Sequence, residues 1–363
     1  MKKRTKLILG GAAAGTVMAG AAAGLGAVLA ARYALKTFRG YRLRGLRGQT
    51  VLITGGSRGL GLAMAEEFAQ FGAKVAICAR DEQELARARQ QLEDQGAVVC
   101  AVPCDVSKPE EVDNLISSVS RHMGKIDVLV NNAGVISVGP ILSQELKDFQ
   151  EAMDVMFWGT VHPTLAVLPQ MLSRGKGRIV NISSIGGKVS IPHLIPYGCA
   201  KFAATGFSEG LHAELKRFGI HVLTVIPGLM RTGSHLNAQF KGNHEAEFGW
   251  FAVSGTNPLA SVSARRAAQK IVNATCANRT ELTISWQAKT LATVHGVAPS
   301  LTQEVLAQVN RLLPDAAGVT EKKAGHESQS AVTRSPLTVL GKRAARRYNQ
   351  VEKPAKTGTG QPG

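Results

Sequence analysis

The chain has 363 residues, 44% of them hydrophobic, and a formal net charge of +17. That length and apolar share support a sizeable core and exclude a wholly disordered polypeptide. The charge sits at the ends. Residues 1–48 carry ten Lys or Arg and no acid, residues 315–363 carry nine basic and four acidic residues, and the stretch between is close to +2. This argues against a nucleic-acid enzyme, which would carry its basic patch on the folded domain.

The first element is the uncharged run Leu7 to Ala31, flanked by Lys2, Lys3, Arg4 and Lys6 before it and by Arg32, Lys36, Arg39, Arg42, Arg44 and Arg47 after it. Its 25 residues suit one membrane-spanning helix. The dense positive charge after it resists export, which favours an anchor over a cleaved signal peptide and keeps the following domain cytoplasmic. Basic flanks also suit anionic lipid.

Next comes the apolar run Val51-Leu52-Ile53, read as a buried parallel strand. Thr54-Gly55-Gly56-Ser57-Arg58-Gly59-Leu60-Gly61 follows and opens a helical pattern. Strand, glycine turn and helix together form the context of a dinucleotide fingerprint. The glycines let backbone approach a pyrophosphate, and the helix N-terminus offers free N–H groups. Further strands are expected at Lys74–Ala79, Ala97–Val102, Ile126–Asn131, Gly177–Ile182, His221–Ile226 and Leu282–Ile284, with helices between them such as Asp81–Gln95 and Pro109–His122. The alternation predicts an α/β fold, a doubly wound parallel sheet (Rossmann fold) with its cofactor at the carboxyl ends of the strands. Domain limits follow: an anchor region over 1–48, a nucleotide-binding domain over 49–314, and a basic disordered tail over 315–363, where periodicity fades. Five scattered cysteines form no Cys-x-x-Cys pair, which suits reduced thiols; no metal site is expected.

Tyr197 and Lys201 stand four residues apart, so a helix places them on one face. A neighbouring ammonium favours a phenolate, and the pair is read as a proton-transfer site with a lowered tyrosine pKa.

With the Thr-Gly-x-x-x-Gly-x-Gly spacing upstream, this chain resembles the short-chain dehydrogenase/reductase family. Further motifs carry the resemblance: Asp105-Val106, Asn131-Asn132-Ala133-Gly134, Ser184 thirteen residues before Tyr197, and Pro227-Gly228 followed by Thr232. The resemblance implies an oxidoreductase with Ser184, Tyr197 and Lys201 catalytic. Ser184 would hold the substrate carbonyl oxygen, Tyr197 would act as acid or base, and Lys201 would hold the nicotinamide ribose. It implies a cofactor site built from Gly55, Ser57, Arg58, Gly59, Leu60, Gly61, Arg80, Asp105, Val106, Asn132, Ala133, Gly134, Tyr197, Lys201, Pro227, Gly228 and Thr232. Asp105 would lie by the adenine, and Pro227-Gly228 with Thr232 would meet the nicotinamide carboxamide. Ser183 reads as a structural hydroxyl at the strand end.

No carboxylate follows the second strand; the chain offers Ala79 and Arg80, with Arg58 as a second cation. Two arginines suit a 2′-phosphate, so NADP(H) is the expected cofactor. Asp81 reads as the N-cap of the next helix.

One position departs from the family pattern. Met156, in Asp154-Val155-Met156-Phe157-Trp158, occupies the place of an asparagine that supports a proton relay behind the lysine. This leaves a low-turnover nucleotide-binding scaffold or sensor as the rival of an active enzyme. Leu229, Met230, Leu236, Phe240, Phe248, Trp250 and Phe251 follow Gly228 in the lid region and suggest an apolar pocket wall, hence a small lipophilic ketone, aldehyde or alcohol. The sequence sets no reaction direction and leaves homo-oligomer formation open.

Overall fold

The computed structural model describes residues 45–316, 318–335 and 338–351. The expected membrane anchor lies in residues outside the described ones. Among the described residues no helix is long and apolar enough to cross a membrane.

Seven parallel strands form the central sheet: β1 (Thr50–Thr54), β2 (Lys74–Ala79), β3 (Val99–Pro103), β4 (Ile126–Asn131), β5 (Gly177–Ile182), β6 (Ile220–Ile226) and β7 (Glu281–Thr283). Their spatial order is 7-6-5-4-1-2-3. The direction of winding reverses between β1 and β4, and a crevice opens at the carboxyl ends of the strands on such a line. Val51, Leu52 and Ile53 are fully buried, as befits a strand covered on both faces.

The main helices are α1 (Gly59–Gln70), α2 (Glu82–Glu93), α3 (Pro109–Met123), α4 (Leu146–Met153), α5 (Gly159–Leu172), α6 (Ile195–Leu215), α7 (His244–Thr256), α8 (Ala264–Cys276), α9 (Trp286–Val297), α10 (Pro299–Asn310) and α11 (Val339–Arg347). One face of the sheet packs Leu52, Ala76 and Leu129 against Leu115 and Val119 of α3 and Val167 and Met171 of α5. Asp81 caps α2 as expected, its carboxylate accepting the Glu84 N–H at 2.8 Å. Residues Asp154–Trp158 form a turn of π-helix between α4 and α5.

The tail departs from expectation. Residues 318–335 and 338–351 are folded onto the domain. Lys323–Ala324 pairs antiparallel with Gln239–Phe240, which lies parallel to Ser137–Val138, and α11 follows. Loss of sequence periodicity signalled a chain without an amphipathic face of its own. It did not signal a chain held by edge pairing and by polar contacts to loops already in place.

The lid residues also go elsewhere. Leu236, Phe240 and Phe248 are buried with Val138, Ala252 and Ala345 in a second small core, with Trp250 and Phe251 packed against it. They hold the lid to the body; Met230 is the member of that set that lines the crevice.

Candidate active site

A cleft of about 480 Å³ runs along the carboxyl ends of β1, β2, β4 and β5. At one end lie Arg58, Ala79, Arg80, Asp105 and Val106, in the middle Gly55, Ser57, Gly59 and Leu60, and at the other Asn132, Ala133, Gly134, Tyr197, Lys201 and Thr232. The fold thus brings most of the expected cofactor residues to one surface. Pro227, Gly228, Gly61 and Ser184 do not line it. Pro227 accepts the Ile185 N–H through its carbonyl, at 2.8 Å. At Gly228 a side chain would meet the Ser285 hydroxyl at 2.5 Å.

The glycine turn is built for close approach. Gly55 has φ +60 and Gly59 has φ +59, both in the left-handed region that favours glycine. A Cβ on Gly61 would stand 2.1 Å from the Gly55 carbonyl oxygen, so α1 can start where it does with no side chain at that point. Asn132 fixes the turn from β4, its amide donating to the carbonyls of Thr54 and Gly55 at 3.0 Å each. Asn132 is therefore a brace of the cleft as well as part of its wall. Deeper still, Asn131 donates to Asn181 at 2.8 Å and to Thr164 at 3.0 Å, and Asn181 donates to Ser208 at 2.9 Å. This buried polar chain ties β4, β5, α5 and α6 together beneath the site.

Tyr197 and Lys201 sit in the first two turns of α6 on one face, as their spacing requires. The Lys201 ammonium is buried, donates to the Ile182 carbonyl at 2.8 Å, and lies 5.9 Å from the centre of the Tyr197 ring. Burial lowers its pKa from 10.5 to about 8. Ser184 caps a short 3₁₀ turn, its hydroxyl accepting the Gly186 N–H at 3.0 Å, and touches the Tyr197 hydroxyl. Ser183 bonds Thr205 and the Lys201 carbonyl, a structural role as expected.

The tyrosine pKa differs from the expectation. Burial raises it, and the hydrogen bond with Ser184 offsets part of that rise. Lys201, whose ammonium donates to the Ile182 carbonyl, is not among the groups that lower it. The phenol is thus held protonated, as a proton donor must be.

Met156 lies in the π-helical turn, buried among Ala152, Val155 and Ala200, with Val135 and Tyr197 packed beside it. Its carbonyl accepts the Thr160 hydroxyl at 2.8 Å. The side chain fills an apolar space behind the tyrosine and leaves the cleft open.

Two features escaped sequence reasoning. Glu84 on α2 pairs with Arg58 at 2.6 Å and accepts from the Ser57 hydroxyl at 3.3 Å, so one arginine of the expected phosphate pair meets a carboxylate. The sequence carried no signal for that pairing. Gln350, from the tail, also lines the cleft, and nothing in the sequence marked it.

A doubly wound sheet with a glycine turn at its switch point and a Ser-Tyr-Lys group beside it defines a dinucleotide-dependent oxidoreductase fold. The chain belongs to the short-chain dehydrogenase family, whose profile matches residues 49–241. It is 40% identical over 200 residues to a "dehydrogenase/reductase SDR family protein 7-like" of Anopheles gambiae, covering 54% of this chain and 63% of that protein. It is 32% identical over 262 residues to the "putative oxidoreductase SadH" of Mycobacterium tuberculosis, covering 72% of this chain and 94% of that one. Among solved structures, a gluconate 5-dehydrogenase from Burkholderia cenocepacia in complex with NADP and tartrate superposes with a TM-score of 0.59 at 27% identity, covering 68% of this chain and 96% of that one.

Proposed function

We propose that this oxidoreductase transfers hydride between NADP(H) and a carbonyl or alcohol group of a lipophilic small molecule, with Tyr197 as the acid or base. The observation that carries the reading is the meeting of Ser184, Tyr197 and Lys201 at the end of a cleft that begins at Arg58 and Arg80.

The residues present fit a dinucleotide. The turn leaves no side chain at Gly55, Gly59 or Gly61, and the first N–H groups of α1 have no intrahelical acceptor. Leu60 and the glycines would hold the pyrophosphate, Asp105 and Val106 the adenine, Arg58 and Arg80 a 2′-phosphate, and Thr232 the nicotinamide end. A bound reduced nicotinamide supplies the hydride. Ser184 then orients the substrate oxygen by a hydrogen bond, and Tyr197 gives that oxygen its phenolic proton. Lys201, protonated below about pH 8, holds ribose hydroxyls and stabilises the resulting phenolate. In the oxidative direction Tyr197 takes the proton back.

The wall near Tyr197 combines Val135, Ile136, Val155, Met230 and Ala238 with Glu151 and Gln239. The apolar members of this wall suit a lipophilic substrate of modest size. The uncharged run Leu7 to Ala31, with its basic flanks, supports a membrane anchor that keeps the domain on the cytoplasmic side, near lipid-borne substrates.

The test is a screen of the purified chain in detergent for NADPH oxidation with carbonyl compounds and for NADP⁺ reduction with alcohols. Turnover that disappears in Tyr197→Phe, with cofactor binding retained, supports the proposal. Tight NADPH binding with no turnover on any of these compounds overturns it in favour of the scaffold reading.

A further inference from the structure

The segment after α11 crosses the glycine turn. The Tyr348 carbonyl accepts the Gly59 N–H at 2.9 Å. Asn349, at φ +53, donates through its amide to the carbonyls of Ser57 at 3.0 Å and Glu84 at 2.8 Å, and its oxygen accepts from Arg87 at 3.2 Å. Arg347 pairs with Glu66 at 2.9 Å. Gln350 comes next, 7% exposed. Both its carbonyls, main-chain and side-chain, accept from the Asn237 amide, at 2.9 and 2.7 Å.

That last contact fixes which way the Gln350 amide faces. With Oε1 committed to Asn237, Nε2 lies over the glycine turn, 2.7 Å from where a Cβ of Gly59 would stand. Among the described residues Nε2 has no hydrogen-bond acceptor, and the side chain lines the cleft. The donor is therefore free to meet a ligand in the cleft. An anionic oxygen at the start of α1 would satisfy it. Gly59 is constrained twice over, by its φ and by this overlying amide.

We propose that Arg347–Gln350 is a strap forming one wall of the dinucleotide site, and that the Gln350 amide donates to the pyrophosphate of the bound cofactor. The inference rests on the dinucleotide reading of the cleft but not on the choice between NADP(H) and NAD(H), because both carry the pyrophosphate. The neighbouring Tyr348 carbonyl removes the Gly59 N–H from the donors facing the ligand, and Gln350 supplies a replacement from the opposite side.

The test uses the full chain with Gln350→Met and Gln350→Glu, titrated with NADP⁺, NAD⁺ and ADP by calorimetry. ADP carries the adenosine and pyrophosphate without the nicotinamide riboside. Gln350→Met removes the donor without adding charge, so its effect on binding reads the donor itself, whereas Gln350→Glu keeps the acceptor for Asn237 and adds a carboxylate that repels the pyrophosphate. Both variants are expected to keep the wild-type melting temperature within a few degrees and to weaken all three ligands by about tenfold or more, as for a hydrogen bond to a charged group. Unchanged dissociation constants in Gln350→Met overturn the proposal. Tighter binding in either variant also overturns it, and marks the strap as a plug. Should wild-type protein prefer NAD⁺ while the variants still weaken all three ligands, the cofactor choice fails and the strap stands.

Discussion

Arg58 and Glu84 form an ion pair of 2.6 Å at the mouth of the cleft, where Arg80 also stands. The guanidinium side chain is 38% exposed, so the pair is screened and contributes little to stability. Its importance lies in recognition. A 2′-phosphate approaching Arg58 must share it with a carboxylate, and Glu84→Gln removes that competition. The expected outcome is a several-fold lower KM for NADPH in Glu84→Gln, and about a tenfold higher KM for NADPH in Arg58→Ala with KM for NADH nearly unchanged. A wild-type preference for NADH that Glu84→Gln abolishes would assign Glu84 to a ribose hydroxyl instead, and the NADP(H) proposal would fail.

Lys201 couples function to stability with opposite signs. Burial lowers its pKa from 10.5 to about 8. Below pH 8 both folded and unfolded chains carry the proton and folding bears the full desolvation cost. Between about 8 and 10.5 the unfolded chain holds the proton and the folded one does not, so stability from this group rises with pH. The shift corresponds to about 3 kcal/mol. Losing the bond to Ile182 gives back about 1–2 kcal/mol. Lys201→Met should therefore melt a few degrees higher than wild type at pH 7, with the gap shrinking toward pH 10, while turnover falls by about two to three orders of magnitude. Paired melting curves and rates at both pH values decide it; a variant that is less stable at pH 7 contradicts the burial argument.

The sheet was legible because burial on both faces leaves continuous apolar runs. All seven strands fall within two residues of their expected limits; Lys74–Ala79, Ile126–Asn131 and Gly177–Ile182 match fully. The glycine turn was legible because Gly55 and Gly61 answer to hard steric limits that no other residue meets. Glu84, the lid aromatics and the tail were not. Each depends on which surface a side chain meets after folding: Glu84 meets Arg58, Phe240 meets Phe248, and Asn349 meets the Ser57 carbonyl. Periodicity carries no record of such pairings.

Met156→Asn separates packing from proton delivery. The thioether is 1% exposed, in an apolar cluster that includes Tyr197. An asparagine there would bury an amide in apolar surroundings at a cost of about 1–3 kcal/mol. Because the Met156 carbonyl is already engaged by Thr160, the backbone part of the position is complete without the side chain. Met156→Asn should lower the melting temperature by several degrees and change kcat by less than about threefold. A gain of tenfold or more in kcat would show that the missing amide limits proton delivery to Lys201.

Asp148 and Lys241 are both fully buried and 2.6 Å apart, and Lys241 also reaches Glu145 at 2.9 Å. Lys322, which lies beyond the expected domain end at 314, adds a second cation to Asp148 at 2.9 Å. Burial alone would raise the Asp148 pKa, but Lys241, the Glu145 N–H and Lys322 outweigh it and hold the carboxyl below its ordinary value. Its stabilising effect is thus present above the usual carboxylate range and is lost as pH falls below that range through the lowered folded pKa. A chain ending at residue 314 loses Lys322, the pairing of Lys323–Ala324 on Gln239–Phe240, and the Gly325 and His326 N–H bonds to Ala238 and Leu236. It should melt at least about 10 °C lower than one ending at 351, and lose less on acidification, because the Lys322 contribution at Asp148 is already gone. Lys322→Met, which leaves the buried pair intact, should cost about 1–2 kcal/mol, whereas Lys241→Met, which strands a buried carboxylate, should cost about 3–5 kcal/mol. Equal melting temperatures for the chains ending at 314 and 351 would show that residues 315–351 add nothing to the stability of the folded unit.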